Sequence, residues 1–451
     1  MAFVMLASLP FRDPWKGLAE LHEEFGPVVS FRLGPFPIIL IGTTEASHEL
    51  LERCGKIYSS RPSFEYLNNL THGMQPGLMP YNNEVMRHRR IYRVFLSHNA
   101  SVTYRPLQEL ETSRMLFDIL STDDPAAVLA KFHPNLTHRL VYGEQIDDWA
   151  QFNTLKNADE AALKFFTPWG ALMSLFDRLP RVLTPGKDQR NSWFHTVLNV
   201  LLGNATKALS RGPGSWAWTI RHSKQAEDLA WEQFCFTTGE VYQAMYLATS
   251  ATLAAFLVVA VTEIAATRKA SNELQQVVGP DRLPQFDDLP NLPYLNAYTK
   301  EILRWRIATP LALPHLSTEE DNYRGYSIPA NTIVVGNQWA MNRECNVFAD
   351  PETFRPERWI DNPNLPLAVF GFGRRVCPGQ HVARDLFTLT VARLLWAFEL
   401  TTPADMSKID TSKSALLGII YQAPVPELRY QVRSDKHEET IRRTWLASKE
   451  E

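Results

Sequence analysis

The apolar positions of this chain change period several times along its length, and each change marks an element. Trp15–Phe25 carries apolar residues on one face at helical spacing and stops at Gly26-Pro27, which predicts an amphipathic helix. Val28–Leu33 and Phe36–Ile41 are strand-like runs around Gly34-Pro35, a hairpin signal. Thr44 follows as the cap of a helix over Glu45–Glu52. Residues 100–225 are mainly helical, with breaks expected at Pro134, Pro168, Pro180, Pro185 and Gly212-Pro213-Gly214. Phe165, Phe166, Trp169, Phe176, Trp193, Trp216 and Trp218 make this middle part aromatic-rich. From Glu227 to about Leu274 there is no proline, and the stretch reads as one long helix. Tyr294–Arg306 reads as another. Tyr326–Ile328 and Thr332–Val335, split by Pro329-Ala330-Asn331, read as a hairpin. Ala415–Ile420 is an apolar loop, and Ser434–Glu451 is polar enough to be partly disordered.

Two apolar runs bear on a membrane. Val241–Val261 is 21 uncharged residues, long enough to span a bilayer. Gln243, Thr249, Ser250 and Thr252 interrupt it, and charged helix-forming sequence continues on both sides, so a buried core helix is expected. Met1–Leu9 is too short to span and has no Lys or Arg before it.

Composition adds exclusions. By length, 451 residues allow up to three domains, but no linker, repeat or low-complexity tract divides them, so 1–451 is read as one domain. A net charge of −3 gives no footprint for nucleic acid. Cys54, Cys235, Cys345 and Cys377 are too far apart for zinc-type pairs, which argues for free thiols and a reducing compartment.

The candidate chemistry concentrates in Phe370–Gly379, F-G-F-G-R-R-V-C-P-G, ahead of the apolar-periodic run Val382–Phe398. Glycines let the backbone approach a flat ligand. A cysteine just before a helix N-terminus is favoured as thiolate, and thiolate is an axial ligand of haem iron. The spacing Phe-x-x-Gly-x-Arg-x-Cys-x-Gly resembles the haem-binding signature of the cytochrome P-450 family. Trp15–Pro62, with its I-Y-S-S-R-P, is similar to the N-terminal sheet and first helices of fungal members.

The resemblance implies a mainly α fold with small β-sheets, and haem b held between a long central helix and the Cys-loop helix. It implies Cys377 as the catalytic iron ligand, with Phe370 near the sulfur and Gly373 and Gly379 in the cofactor loop. Arg375, Arg89 and His315 match the positions that hold the propionates. Arg89 lies in the basic stretch Glu84–Phe95, where Val85 replaces a tryptophan of the family pattern. Arg87, Arg90 and Arg93 are left to face an acidic electron-donor protein. Glu301, Arg304 and Arg358 match a structural triad behind the cysteine. Ala244, Leu247, Ala248, Ile307, Leu311, Leu313 and Leu417 are the expected substrate contacts.

One departure bears on the chemistry. Registered on Arg268–Leu274, the central helix places Leu247 and Ala248 where the family carries an acid and an alcohol that relay protons for O–O cleavage. Thr249 and Ser250 follow, so a slip of one would restore the alcohol. No slip restores the acid, because no Asp or Glu lies between Glu240 and Glu263. Glu240 is about 13 Å from Thr249 along a helix. The reading is therefore a haem-thiolate enzyme of secondary metabolism acting on a lipophilic, already oxidised small molecule. It leans slightly toward an oxygen-independent cyclisation, dehydration or rearrangement. The alternative is a monooxygenase fed by NADPH through a cytochrome P-450 reductase; a haem sensor without turnover is the minor third. Eukaryotic members usually begin with a membrane anchor, which would place the enzyme on the cytosolic face of the endoplasmic reticulum; the chain as given reads as cytoplasmic.

Overall fold

The computed structural model describes residues 13–63, 71–163, 187–403, 415–417 and 419–449, with backbone only at 187–191 and 415–417. Helix α1 (Pro14–Phe25) has its proline in the first turn, where a missing N–H breaks no bond, and ends at Gly26 with φ 94°. The main sheet joins distant parts of the chain in the order β1 (Val28–Leu33), β2 (Phe36–Ile41), β6 (Ile333–Gly336), β3 (His315–Leu316). Strands β1 and β2 form the expected hairpin, and β2 runs parallel to β6 with Ile39 opposite Val334.

This sheet overturns the second expected hairpin. Tyr326–Ile328 (β5) pairs with Asp321–Tyr323 (β4), not with the strand that follows it. The apolar β6 instead fills the slot between β2 and β3, where both of its edges are hydrogen-bonded. Asn331, with φ 62°, turns the chain between the two sheets. The cap expected at Thr44 belongs to Thr43, whose side chain accepts from Ala46 N–H. The helix beyond it opens into a π-helical stretch, His48–Arg53.

The helices form the larger layer: α2 (Asn83–Leu96), α3 (Arg105–Leu120), α4 (Pro125–Tyr142), α5 (Trp149–Leu163) and α6 (Lys187–Ser210), then α7 (Trp231–Thr262), which crosses the core. Pro134 was expected to break a helix but lies inside α4. A mid-helix proline costs about 3 kcal/mol, and burial of Phe132, Leu136 and Leu140 in the main apolar cluster offsets it. Pro168, Pro180 and Pro185 lie outside the described residues; Gly212-Pro213-Gly214 does separate α6 from the next helical turn.

Helix α7 is shorter than the single helix expected. It stops at Glu263, with φ −103° and ψ 55°, and α8 (Ile264–Val277) sets off on a new axis. The side chains explain the turn. Helix α7 is apolar nearly all round and sits in the core, whereas α8 is amphipathic and lays one face on α9 (Pro293–Trp305) and α10 (Gln380–Ala397). Among the described residues α7 alone is long and apolar enough to cross a membrane, and its apolar window is mostly buried inside the protein. The tail expected to be partly disordered is helix α11 (Asp435–Ala447). It buries Ile441, and Thr440 Oγ1 donates to the Pro280 carbonyl at 2.8 Å. Strands β7 (Phe398–Thr401) and β10 (Arg429–Val432) pair beside it, and the apolar loop expected at Ala415–Ile420 is a tight hairpin of β8 (Ala415–Leu417) and β9 (Ile420–Gln422).

Candidate active site

Cys377 is positioned by a loop whose shape is fixed on both sides. Gly373, at φ 61°, passes so close to the π-helical stretch that a Cβ would overlap the Leu51 carbonyl oxygen. The Cys377 N–H then donates to Phe370 O at 2.8 Å, closing the loop. Gly379 ends it as the N-cap of α10. Burial pushes the Cys377 thiol up, while the Gly379 N–H and the charges of Arg89 and Arg384 pull it back; the net result is upward. The thiol therefore keeps its proton unless a metal takes its place.

A cavity of about 470 Å³ opens over the sulfur. Its lining includes Cys377, Phe370 and Gly379 of the loop, Ala244, Leu247 and Ala248 of α7, and Ile307 and Leu313. Two expected residues, Leu311 and Gly373, fall elsewhere. Leu311 packs against the clusters around Trp15 and around Leu18, Val29 and Leu40, because its backbone bridges to Asn337 at the sheet. Gly373 is not on the cavity wall; its task is the close approach to Leu51. The Leu417 side chain lies outside the described residues. Of the aromatic middle, Trp193 lines the cavity with Nε1 donating to Ala158 O. Trp216 packs on Phe95 and Tyr104, Trp218 stacks on His222, and Phe165, Phe166, Trp169 and Phe176 lie outside the described residues.

One corner of the cavity gathers positive charge. Arg89 donates to Val376 O at 2.8 Å. Arg375 donates to Ser59 O and Met79 O at 2.8 and 2.6 Å. His315 is buried with Nδ1 at 2.7 Å from Tyr58 O, and burial with the nearby Arg61 charge keeps its pKa well below the usual value, so the ring is neutral. Sequence reasoning assigned no role to Arg61, which lies within I-Y-S-S-R-P. It donates to Leu313 O and Pro314 O at 2.7 and 2.8 Å and lines the same corner. Burial first, and the Arg375 charge second, drop its pKa to about 9. Of the exposed-face candidates, Arg90 and Arg93 are exposed, whereas Arg87 donates to Gln225 O.

Two carboxylates also line the cavity. Glu240 of α7 accepts from Gly77 N–H at 2.6 Å and from Tyr92 OH at 2.7 Å. Asp159, absent from the sequence-based candidates, comes from α5 and accepts from Gln243 Nε2 at 2.6 Å and Tyr246 OH at 2.7 Å. Burial pushes the Asp159 carboxyl up to about 7 against those two hydrogen bonds. Leu247 and Ala248 do face the cavity, and the Thr249 and Thr252 hydroxyls beside them donate to Met245 O and Ala248 O at 2.7 and 2.8 Å.

Behind the loop, Glu301, Arg304 and Arg358 are wholly buried. Arg304 grips Glu301 with two bonds of 2.9 and 2.7 Å, Arg358 adds one of 3.1 Å, and Trp359 Nε1 another of 2.8 Å. Both guanidiniums also bind carbonyls of the 342–353 segment, which leads into the cysteine loop. Burial alone would raise the Glu301 carboxyl; Arg304, Arg355 N–H and Arg358 together hold it below its ordinary value. Removing one partner of such a buried network costs about 3–5 kcal/mol, so Glu301→Ala should yield insoluble or poorly folded protein on expression. Because the folded pKa is depressed, the stabilisation is present above the unfolded carboxyl's pKa and lost as pH falls through the folded one. A Tm of wild type that shows no such acid-side loss relative to Glu301→Gln would contradict this.

A family model described as Cytochrome P450 matches residues 2–427. The Neosartorya fischeri protein named fumitremorgin C synthase is 32% identical over 98% of this chain and 88% of its own. The Aspergillus aculeatus cytochrome P450 monooxygenase aneD is 32% identical over 94% of this chain and 84% of its own. The Cladobotryum cytochrome P450 monooxygenase FrzL is 32% identical, covering 97% and 87%. In fold, a zebra fish cytochrome P450 solved with abiraterone superposes with TM-score 0.77 at 24% identity, over 93% of this chain and all of that one. A cysteine loop over a helix N-terminus, an apolar helix lining the same cavity and a buried Glu-Arg-Arg lock thus coincide with whole-chain similarity, and the chain belongs to the cytochrome P450 family.

Proposed function

We propose that this protein is a haem-thiolate enzyme of fungal secondary metabolism that oxidises a lipophilic small molecule. The family implies haem, and the donor set fits it. At Gly379, φ is −87° and a Cβ would meet no protein atom within 4 Å, so the polypeptide itself leaves room for a side chain. A flat group lying against the backbone accounts for the glycine. Arg61, Arg89 and Arg375 face one buried carboxylate, Glu240, an excess of two positive charges. Two propionates would balance it.

In this reading Cys377 ligates the iron, Phe370 shields the sulfur, and Arg89 and Arg375 hold the propionates; His315, whose single N–H is given to Tyr58 O, joins them as a donor only when a propionate beside it draws a second proton onto the ring. Bound there, haem supplies redox chemistry at an iron tuned by its axial thiolate. The chain's own residues do the rest. Ala244, Leu247, Ala248, Ile307 and Leu313 exclude water and orient an apolar substrate beside α7, on the face of the flat group away from the sulfur. Charge-assisted hydrogen bonds contribute about 1.5–3 kcal/mol each, so Arg375→Ala should release haem at least about tenfold faster to apomyoglobin. An unchanged release rate would remove Arg375 from the assignment.

The single observation that carries the oxidative reading is the whole-length similarity to proteins named monooxygenases. Electrons would then come from NADPH through a reductase, with exposed Arg90 and Arg93 available to an acidic partner. A second reading, oxygen-independent rearrangement, is favoured by the apolar pair Leu247-Ala248. Turnover of a candidate substrate with and without reductase, NADPH and oxygen separates the two. Product formed only with all three supports oxidation; equal product under anaerobic conditions would refute it.

A further inference from the structure

We propose that Asp159 and Gln243 form an acceptor subsite in the cavity wall that selects lipophilic substrates carrying an N–H donor. This rests on the reading of the cavity as the site of a lipophilic small molecule.

The argument is a count of donors and acceptors. Asp159 and Gln243 both line the cavity and are each 5% exposed. Among the described residues two donors are spent on Asp159: Gln243 Nε2 bonds Oδ1 at 2.6 Å, and Tyr246 OH bonds Oδ2 at 2.7 Å. A carboxylate has about four acceptor positions, so roughly two remain. With its amide nitrogen committed to Asp159, the Gln243 side chain has Oε1 left over, and this buried oxygen has no partner among the described residues. With Asp159 ionised, a state that its raised pKa of about 7 places above about pH 8, what the corner offers is acceptors only. Buried acceptors are rarely left unpaired in a native assembly, and the surrounding wall is mostly apolar, with Ala162, Leu163, Val241, Ala244 and Leu247 close in sequence to the pair. A ligand that is apolar except for one N–H satisfies both features. A ligand bringing only a carbonyl or ether oxygen would face like acceptors.

The hydrogen bonds also explain why the pair is rigid. Gln243 and Tyr246 sit three apart on α7 and so share a face, and both reach the same carboxylate on α5. The acceptors are thus held in fixed directions across two packed helices, as selectivity for a donor requires.

The test uses the haem-loaded protein and two probes, carbazole and 9-methylcarbazole, which differ only in the N–H. Binding is read from the shift of the haem absorption band. At about pH 8.5, where Asp159 is ionised, wild type should bind carbazole at least about tenfold tighter than its methylated counterpart, the size expected for a hydrogen bond to a charged group. In Asp159→Asn and in Gln243→Met that preference should shrink several-fold. Using the ratio of the two probes within each variant cancels any general loosening of the cavity. If Asp159→Asn fails to load haem, the wild-type ratio and Gln243→Met still decide. Equal binding of both probes by wild type would overturn the subsite and leave the lipophilic cavity standing, as would a preference undiminished in the variants. A cavity that takes up neither probe would overturn the proposed function and this inference with it.

Discussion

Cys377→Ser should fold and yet lose turnover completely. The loop does not depend on the sulfur for its shape. Its closing bond is the Cys377 N–H to Phe370 O, and its close approach is made by Gly373 on Leu51, both of which survive the exchange. A serine hydroxyl fits the space of the thiol. Chemically the two differ greatly: the thiolate is a soft ligand that a metal readily deprotonates, whereas an alcohol is not. Circular dichroism should match wild type, while product formation falls to background. A serine variant with native turnover would place the chemistry elsewhere.

Restoring an acid and an alcohol, Leu247→Asp with Ala248→Thr, should raise oxygen-coupled turnover. Both side chains line the cavity, and the acids and hydroxyls next to them on α7, or bound to it, are engaged. Glu240 is held by Gly77 and Tyr92, Asp159 by Gln243 and Tyr246, and the Thr249 and Thr252 hydroxyls donate to backbone carbonyls. A positioned general acid is worth about 10²–10⁴-fold, which sets the ceiling of the gain. The wild type should release hydrogen peroxide when supplied with NADPH and reductase, and the double variant should release less per product formed. A wild type that already converts NADPH to product one for one, with no peroxide, would show that protons reach the site by another route.

What could be read in the sequence was local or bound by spacing. The cysteine loop is ten consecutive residues, and Glu301 and Arg304 sit three apart on one helix face, so both were legible. Leu247 and Ala248 followed from registering the family pattern on Arg268–Leu274, a count of positions that the helix break at Glu263 does not disturb, and both line the cavity. What could not be read depends on contacts between distant segments. Asp159 is one acid in a polar stretch of α5, and only the packing against Gln243 and Tyr246 brings it to the cavity. Arg61 was visible as part of I-Y-S-S-R-P, but its bonds to Leu313 and Pro314 span more than 250 residues. Strand β6 looked like the partner of its sequence neighbour because alternation cannot say which edge is free; the parallel slot beside β2 decided it. Leu311 looked like its apolar neighbours until the backbone bridge to Asn337 turned it toward the sheet.

The account turns on whether Cys377 sulfur holds a haem in this cavity. The absorption spectrum of the reduced wild-type protein under carbon monoxide tests that directly. The account predicts the strongly red-shifted band of a thiolate-ligated haem, absent from Cys377→Ser. A wild-type band at the position typical of histidine-ligated haem, or one unchanged in Cys377→Ser, would contradict it.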